Sequence, residues 1–178
     1  DFTSGDLADA SALVSVDDEV SLENKIRSYL DTNCSHCHQP GGVRSLFDAR
    51  SDTPLVAQGF INGRTAEASS NTLLVPGEPG DSYIYQRLNT IGLGQMPLIA
   101  KNVLHDAGIS AFYEYILRLA PEDLLPSGWK QTELGTSFNR GLARYKNGTF
   151  ELGSSGFPIG GTRDNTLFVH QRIEGDFE

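Results

Sequence analysis

The residues best suited to chemistry lie within five positions of one another. Cys34-Ser35-His36-Cys37-His38 holds both cysteines of the chain and two of its four histidines. Two thiols at this spacing come to one side of a helical turn, and a histidine directly after the second lies beside them. C-x-x-C-H is the spacing of covalent haem attachment. The thiols reach the two vinyl groups of one porphyrin and form thioethers, and the histidine is held beneath the iron as an axial ligand. The single motif predicts one covalent haem c per chain, bound by Cys34, Cys37 and His38. Ser35 and His36 are spacers, with His36 pointing outward.

Three other uses of these residues need different surroundings. A zinc ribbon requires a second pair of ligands at matching spacing. The chain has no further cysteine, and His105 and His170 stand apart. A redox C-x-x-C follows a strand and opens a helix within a βαβ pattern, whereas here a helical pattern precedes the motif. A disulfide across two residues is strained.

An iron held by His38 on one face needs a ligand, or an open position, on the other. The chain has one methionine, Met96, 58 residues after His38 in GLGQMPL. Methionine is ordinarily core filler. Met96 instead sits on an irregular loop, with Pro97 fixing the backbone after it. Gly92 and Gly94 let that loop approach a porphyrin. Met96 is the expected second iron ligand, and His105 is its competitor.

The elements that must position these residues are legible as stripes. From Ser21, a plausible cap, the apolar residues Leu22, Ile26, Tyr29 and Leu30 fall on one helical face. The rows 22, 26, 30, 34 and 26, 29, 33, 37 bring both cysteines onto that stripe. HDAGISAFYEYILRLAP places Ile109, Phe112, Tyr113, Ile116, Leu117 and Ala120 together, with Asp106 as cap and Pro121 as stop. DSYIYQRL is a short helix between them. The period then changes. GLARYKNGTFELG carries Asn147-Gly148 between alternating runs, a two-residue hairpin signal. NTLFVHQRIEGDFE alternates as well, and Trp129 opens this part, which is dense in glycine (Gly153, Gly156, Gly160, Gly161).

The chain therefore divides into an acidic linker or tail (1–20), a haem domain (21–121) and a β-rich segment (122–178). Residues 1–20 carry six acids and no base, out of a net charge of −9. That balance argues against a nucleic-acid partner, and no apolar run is long enough to span a membrane. No signal segment opens the chain, so it reads as a processed form or a piece of one. Residues 122–178 fall short of the roughly 100 residues of a complete sandwich. They end inside an alternating run, so a partial sandwich is expected, completed by further chain or by another copy.

Residues 21–121 resemble a class I c-type cytochrome domain. The likeness covers the first helix, Cys34-Ser35-His36-Cys37-His38, Met96-Pro97 and the last helix, in that order. LVPGEPGDSYIYQRL followed by MP resembles such domains in multidomain bacterial periplasmic or secreted proteins. The resemblance implies an all-α, haem-centred domain followed by a smaller all-β segment. It makes Cys34 and Cys37 the thioether residues, His38 and Met96 the axial pair, and the compartment periplasmic or extracellular. The tryptophan that small members often place near the haem propionates is missing; Arg44, Arg50, Arg64 and Arg87 are candidates for that role. Residues 128–178 are similar to the opening strands of concanavalin-like, carbohydrate-binding sandwiches.

These readings predict an electron-transfer protein rather than an enzyme, because an iron with His and Met on its two faces has no vacant site. Its partner would be a redox protein or a fused oxidoreductase domain. A labile Met96 would instead allow a haem peroxidase or gas sensor. A third reading is a polysaccharide-binding or self-associating protein with a haem relay, in which Trp129, Tyr145 and Phe157 form the sugar platform.

Overall fold

Helix α1, Leu22–Cys34, begins where the Ser21 hydroxyl accepts a hydrogen bond from the Asn24 N–H at 3.2 Å. Such a cap satisfies one of the backbone donors that a helix start leaves open. The computed structural model describes residues 12–43, 46–66, 71–119, 124–135, 140–154 and 164–175. Helix α2 is one turn, Leu55–Gln58. A 3₁₀ turn at Pro79–Asp81 leads into α3, Tyr83–Leu88, and α4 runs Asp106–Arg118. His105, not Asp106, takes the cap position of α4.

The two long helices pack together through the stripe of α1 and part of that read for α4; Tyr113 and Leu117 are exposed instead, and Tyr115, outside the stripe, is buried. Ile26 and Leu30 of α1, and Phe112 and Ile116 of α4, are fully buried. Phe60 and Leu74, from the irregular chain between α2 and α3, complete this core. That chain is held by isolated bridges, Ile61 to Leu74 and Arg64 to Thr72. The buried Ser82 hydroxyl accepts from the Val75 N–H at 2.9 Å and donates to the Glu78 carbonyl at 2.9 Å. No helix among the described residues is long and apolar enough to cross a membrane.

Four strands follow: β1 (Trp129–Leu134), β2 (Leu142–Lys146), β3 (Thr149–Gly153) and β4 (Thr166–Gln171). β1 pairs with β4 antiparallel, and β2 with β3, as two separate two-stranded sheets. Asn147 and Gly148, with φ of 51° and 82°, make the turn between β2 and β3. Gly148 and Asn147 thus supply the positive φ at both central positions that this type of hairpin needs.

The expectation of an all-α, haem-centred domain followed by an all-β segment is corrected here. The protein is a small mixed fold. Among the described residues only two helices exceed two turns, and between them lie short helices and irregular chain held by bridges. The strands do not form a sandwich among the described residues; β2 and β3 lie against α2 and the helical core instead. Leu142 is part of the same core cluster as Ile26 and Phe112. A β-carbon on Gly153 would stand 1.9 Å from the Val56 carbonyl oxygen, so β3 meets α2 backbone to backbone. The physical reason is apolar area: two short helices cannot cover their own stripes, and the hairpin supplies cover. Residues 1–11 of the acidic tail, Arg44, Ala120, Pro121, Gly156, Phe157, Gly160, Gly161 and the last three residues of the GDFE run lie outside the described residues.

One buried charge fastens the hairpin to α1. Arg144 of β2, 9% exposed, donates to the Glu23 carboxylate at 2.9 and 3.1 Å and to Glu151 at 2.9 Å. Both glutamates are partly exposed, so solvent moderates what the contact contributes. Arg144→Ala is expected to lower stability by about 2 kcal/mol, the range of hydrogen bonds to charged groups. Urea unfolding of the full chain measures it; an unchanged midpoint would remove the hairpin from the list of things that hold α1.

Candidate functional site

Cys34 ends α1 and extends the row of Ile26 and Leu30. The chain keeps a helical path for one turn more. The Cys37 N–H donates to the Cys34 carbonyl at 3.0 Å, and the His38 N–H to the same carbonyl at 2.7 Å. Cys34, Cys37 and His38 are thereby gathered on a single turn. The chain then reverses, with the Val43 N–H donating to the Cys37 carbonyl at 3.0 Å. A β-carbon at Gly42 would stand 2.2 Å from the Cys37 carbonyl oxygen, so glycine is required for this reversal.

His38 is braced by the segment 47–50. Its carbonyl accepts from the Ala49 N–H at 2.8 Å, and its ring stacks on Phe47 with centroids 4.5 Å apart and planes 23° from parallel. Asp48, between those two residues, receives the Arg50 guanidinium at 2.6 and 3.0 Å and the Thr53 hydroxyl at 2.9 Å. The Arg50 hydrogen bonds hold the Asp48 carboxyl down to about 2, so the brace stays charged at neutral pH. Burial, with His36 adding to it, holds the His38 imidazole below its ordinary value. His38 is therefore neutral near pH 7, the form that ligates a metal. Burial, with Cys37 beside it, pushes the Cys34 thiol up to about 12. A thiol so protonated is a poor redox nucleophile, which counts against a dithiol–disulfide oxidoreductase.

Met96 is carried elsewhere, on the loop after α3. Its N–H donates to the Arg87 carbonyl at 3.1 Å, and the peptide bond to Pro97 is cis. The loop is organised by two side chains that the sequence did not single out. The Lys101 ammonium donates to the carbonyls of Arg87, Leu88, Thr90 and Met96, with the Met96 contact at 3.0 Å. Burial holds that ammonium below the usual lysine value. The Gln95 amide donates to the Pro97 and Lys101 carbonyls at 3.2 and 3.1 Å, while its oxygen accepts from the Gly92 N–H at 2.7 Å. No motif marks a lysine five residues after a methionine. The loose signal is a lone base in a stretch otherwise without charge, from Ile91 to His105.

The other candidates have separate engagements. His105 stacks on Tyr29, centroids 5.5 Å apart, with its Nδ1 3.4 Å from the tyrosine hydroxyl. Arg50 serves Asp48. Arg87 donates to the Tyr83 hydroxyl at 2.8 Å. Arg64 lines a cleft shared with β1. Trp129 and Tyr145 both pack on Phe150, at 4.7 and 4.8 Å, with Trp129 in the small cluster around Leu125 and Ala143. Among the described residues, no three or more His, Cys, Asp or Glu side chains form a group that could hold a metal ion.

Of the residues a haem c would need, the structure brings the two thiols and His38 together and sets Met96 on a separate loop. The thiols and imidazole share one turn, and the imidazole is in its ligating form. Met96 is a half-buried thioether on an ordered loop whose neighbours Ile91, Leu93, Leu98, Ile99 and Val103 are all exposed. Leu93 stands wholly in solvent, at 103% exposure, which is unusual for a leucine on a loop held this firmly.

Comparison with protein-family models, with curated proteins and with solved structures returns no match to this chain. The resemblance to a class I c-type cytochrome domain and to a concanavalin-like sandwich is corrected accordingly. It rested on a five-residue motif, a dipeptide and an order of elements. A motif of that length fixes one turn of backbone and leaves the surrounding fold open.

Two outcomes follow from this geometry. In the haem-free Cys37→Ser chain, Cys34 is expected to be alkylated about fiftyfold more slowly when folded than in urea. The shift from 9.0 to about 12 removes most of the thiolate, and higher nucleophilicity restores part of the rate. The folded value lies above the unfolded one, so this thiol favours folding below pH 9 and loses that effect as pH rises toward about 12. Equal rates would place the sulfur in solvent. Lys101→Met is expected to free the Met96 loop, speeding exchange of the Met96 amide at least about tenfold, the loss of roughly one charge-assisted contact. Proton-exchange NMR reads this directly, and an unchanged amide would mean that Gln95 alone holds the loop.

Proposed function

We propose that this chain is a single-electron carrier with one haem c joined to Cys34 and Cys37 and ligated by His38 and Met96. The observation that carries the reading is the turn after α1, where two thiols and an imidazole are gathered at the covalent attachment spacing. Bound there, the iron would supply reversible one-electron chemistry, with the methionine favouring its reduced form. The residues divide the remaining work. Cys34 and Cys37 tether the cofactor, and α1 and α4 anchor the tether. Phe47 and the Ala49 N–H fix the plane and height of His38. Met96 closes the second face against exogenous ligands, and Lys101 and Gln95 keep it on its loop. The reading is of a carrier serving a docked or fused oxidoreductase. The same reading puts the chain in a periplasmic or extracellular compartment of a bacterium, where such attachment takes place.

The test is intact mass after denaturation, followed by visible spectra. One added haem per chain is expected, and bare polypeptide mass from cells able to mature such proteins would end the proposal. In the loaded protein, Met96→Ala is expected to lose the sulfur-to-iron band, lower the potential and gain carbon monoxide binding. Spectra identical to the parent would pass the second ligand to another group, with His105 next in line.

A further inference from the structure

Between the bridged segment 61–74 and the β1–β4 sheet lies a cleft of about 460 Å³, lined by Asn62, Arg64, Gln131, Glu133, Arg140 and Leu167, with two glycines. This is within the size range of small-molecule sites. Its walls come from three separate stretches of chain. Arg64 is set by the antiparallel bridge to Thr72, and Asn62 by its N–H, which donates to the Leu74 carbonyl at 2.8 Å. Gln131 and Glu133 alternate along β1 with the same facing. Leu167 of β4, buried, forms the apolar floor.

Among the described residues, the charges in this cleft are unbalanced. Neither Arg64 nor Arg140 has a hydrogen-bond or ion-pair partner among the described residues. The one acid among the described wall residues, Glu133, accepts the Gly141 N–H through one oxygen and keeps its charge, so two cations there face one anion. The Gln131 oxygen likewise accepts the Ala143 N–H at 2.8 Å, which leaves its amide N–H groups as donors toward the cleft. Gly141 keeps the wall thin, because a β-carbon there would meet Leu167 at 2.9 Å and the Gly153 carbonyl at 3.0 Å. Two guanidinium groups and an amide donor thus stand at one concavity, against one carboxylate, in a chain of net charge −9. Like cations gathered in a concave site repel one another unless an anion joins them. The planar guanidinium matches carboxylate and phosphoryl oxygens in pairs.

We propose that this cleft is a binding site for a small molecule bearing two oxyanion groups, with Arg64 and Arg140 each taking one and Gln131 donating between them. The site is independent of the cysteine turn and of the electron-transfer reading. The chemistry fits a polycarboxylate or a diphosphate, and the two are separated by their probes. Citrate and inorganic pyrophosphate are titrated into the full chain at constant ionic strength, with sodium chloride as the control, while the arginine side-chain N–H signals are followed by NMR. Saturable shifts of Arg64 and Arg140 with one probe or both are expected, and the stronger probe names the ligand class. Arg64→Gln and Arg140→Gln, both partly or fully exposed positions whose folding is checked by thermal melting, are each expected to weaken binding about tenfold or more. Shifts that chloride reproduces, or an affinity that neither substitution changes, would overturn the proposal.

Discussion

The packing of α1 against α4, with the β2–β3 hairpin tied to its first turn through Arg144, is the constraint from which the rest of the structure follows. One face of α1 gives Ile26 and Leu30 to the core. Near its start, Glu23 receives Arg144 from the hairpin. With both contacts made, the helix cannot roll, and the direction in which its last turn points is settled. Cys34 closes that last turn, and Cys37 and His38 follow on the next, so the rotational setting of one helix decides where two sulfurs and an imidazole face. The backbone contacts to the Cys34 carbonyl then carry the setting one turn further.

The first helix was legible because its stripe and its serine cap agree, and the structure uses both; of the cysteine row it packs Cys34 against the core, while Cys37 lies past the end of the helix. Asn147-Gly148 was legible because few dipeptides tolerate two positive φ values in succession. The short helix at Tyr83–Leu88 and the extent of α4 were read from the same periodicity, but the buried face of α4 was misplaced at Tyr113 and Leu117, which are exposed. The fold as a whole was not. A stripe reports that a face is covered but not by what, and the cover of α1 includes a hairpin about 120 positions away in sequence, as the Glu23–Arg144 contact shows. Assigning the helices and the strands to separate classes missed that contact, because a lone arginine in an alternating run looks like any solvent-facing residue until its partner is known.

The candidate site divides in the same way. Cys34, Cys37 and His38 are near neighbours in sequence, so local helical geometry was enough to bring them together. Met96 could be chosen by elimination, but the means of holding it could not. Lys101 and Gln95 act on carbonyl groups, and carbonyls carry no sequence signature. His105, its rival, was ambiguous from sequence; in the structure its ring lies on Tyr29 at the meeting of α1 and α4.

The Lys101 contacts have an evolutionary consequence. An ammonium bound to four carbonyl oxygens grips groups that every amino acid possesses. The identities of the side chains at Ile91, Leu93, Leu98 and Ile99 are thus uncoupled from the shape of the loop that bears them. Substitutions there change what the loop shows to the outside while its course persists. A lineage of such chains is therefore free to diversify this surface, one apolar position at a time, as long as Lys101 and Gln95 are retained.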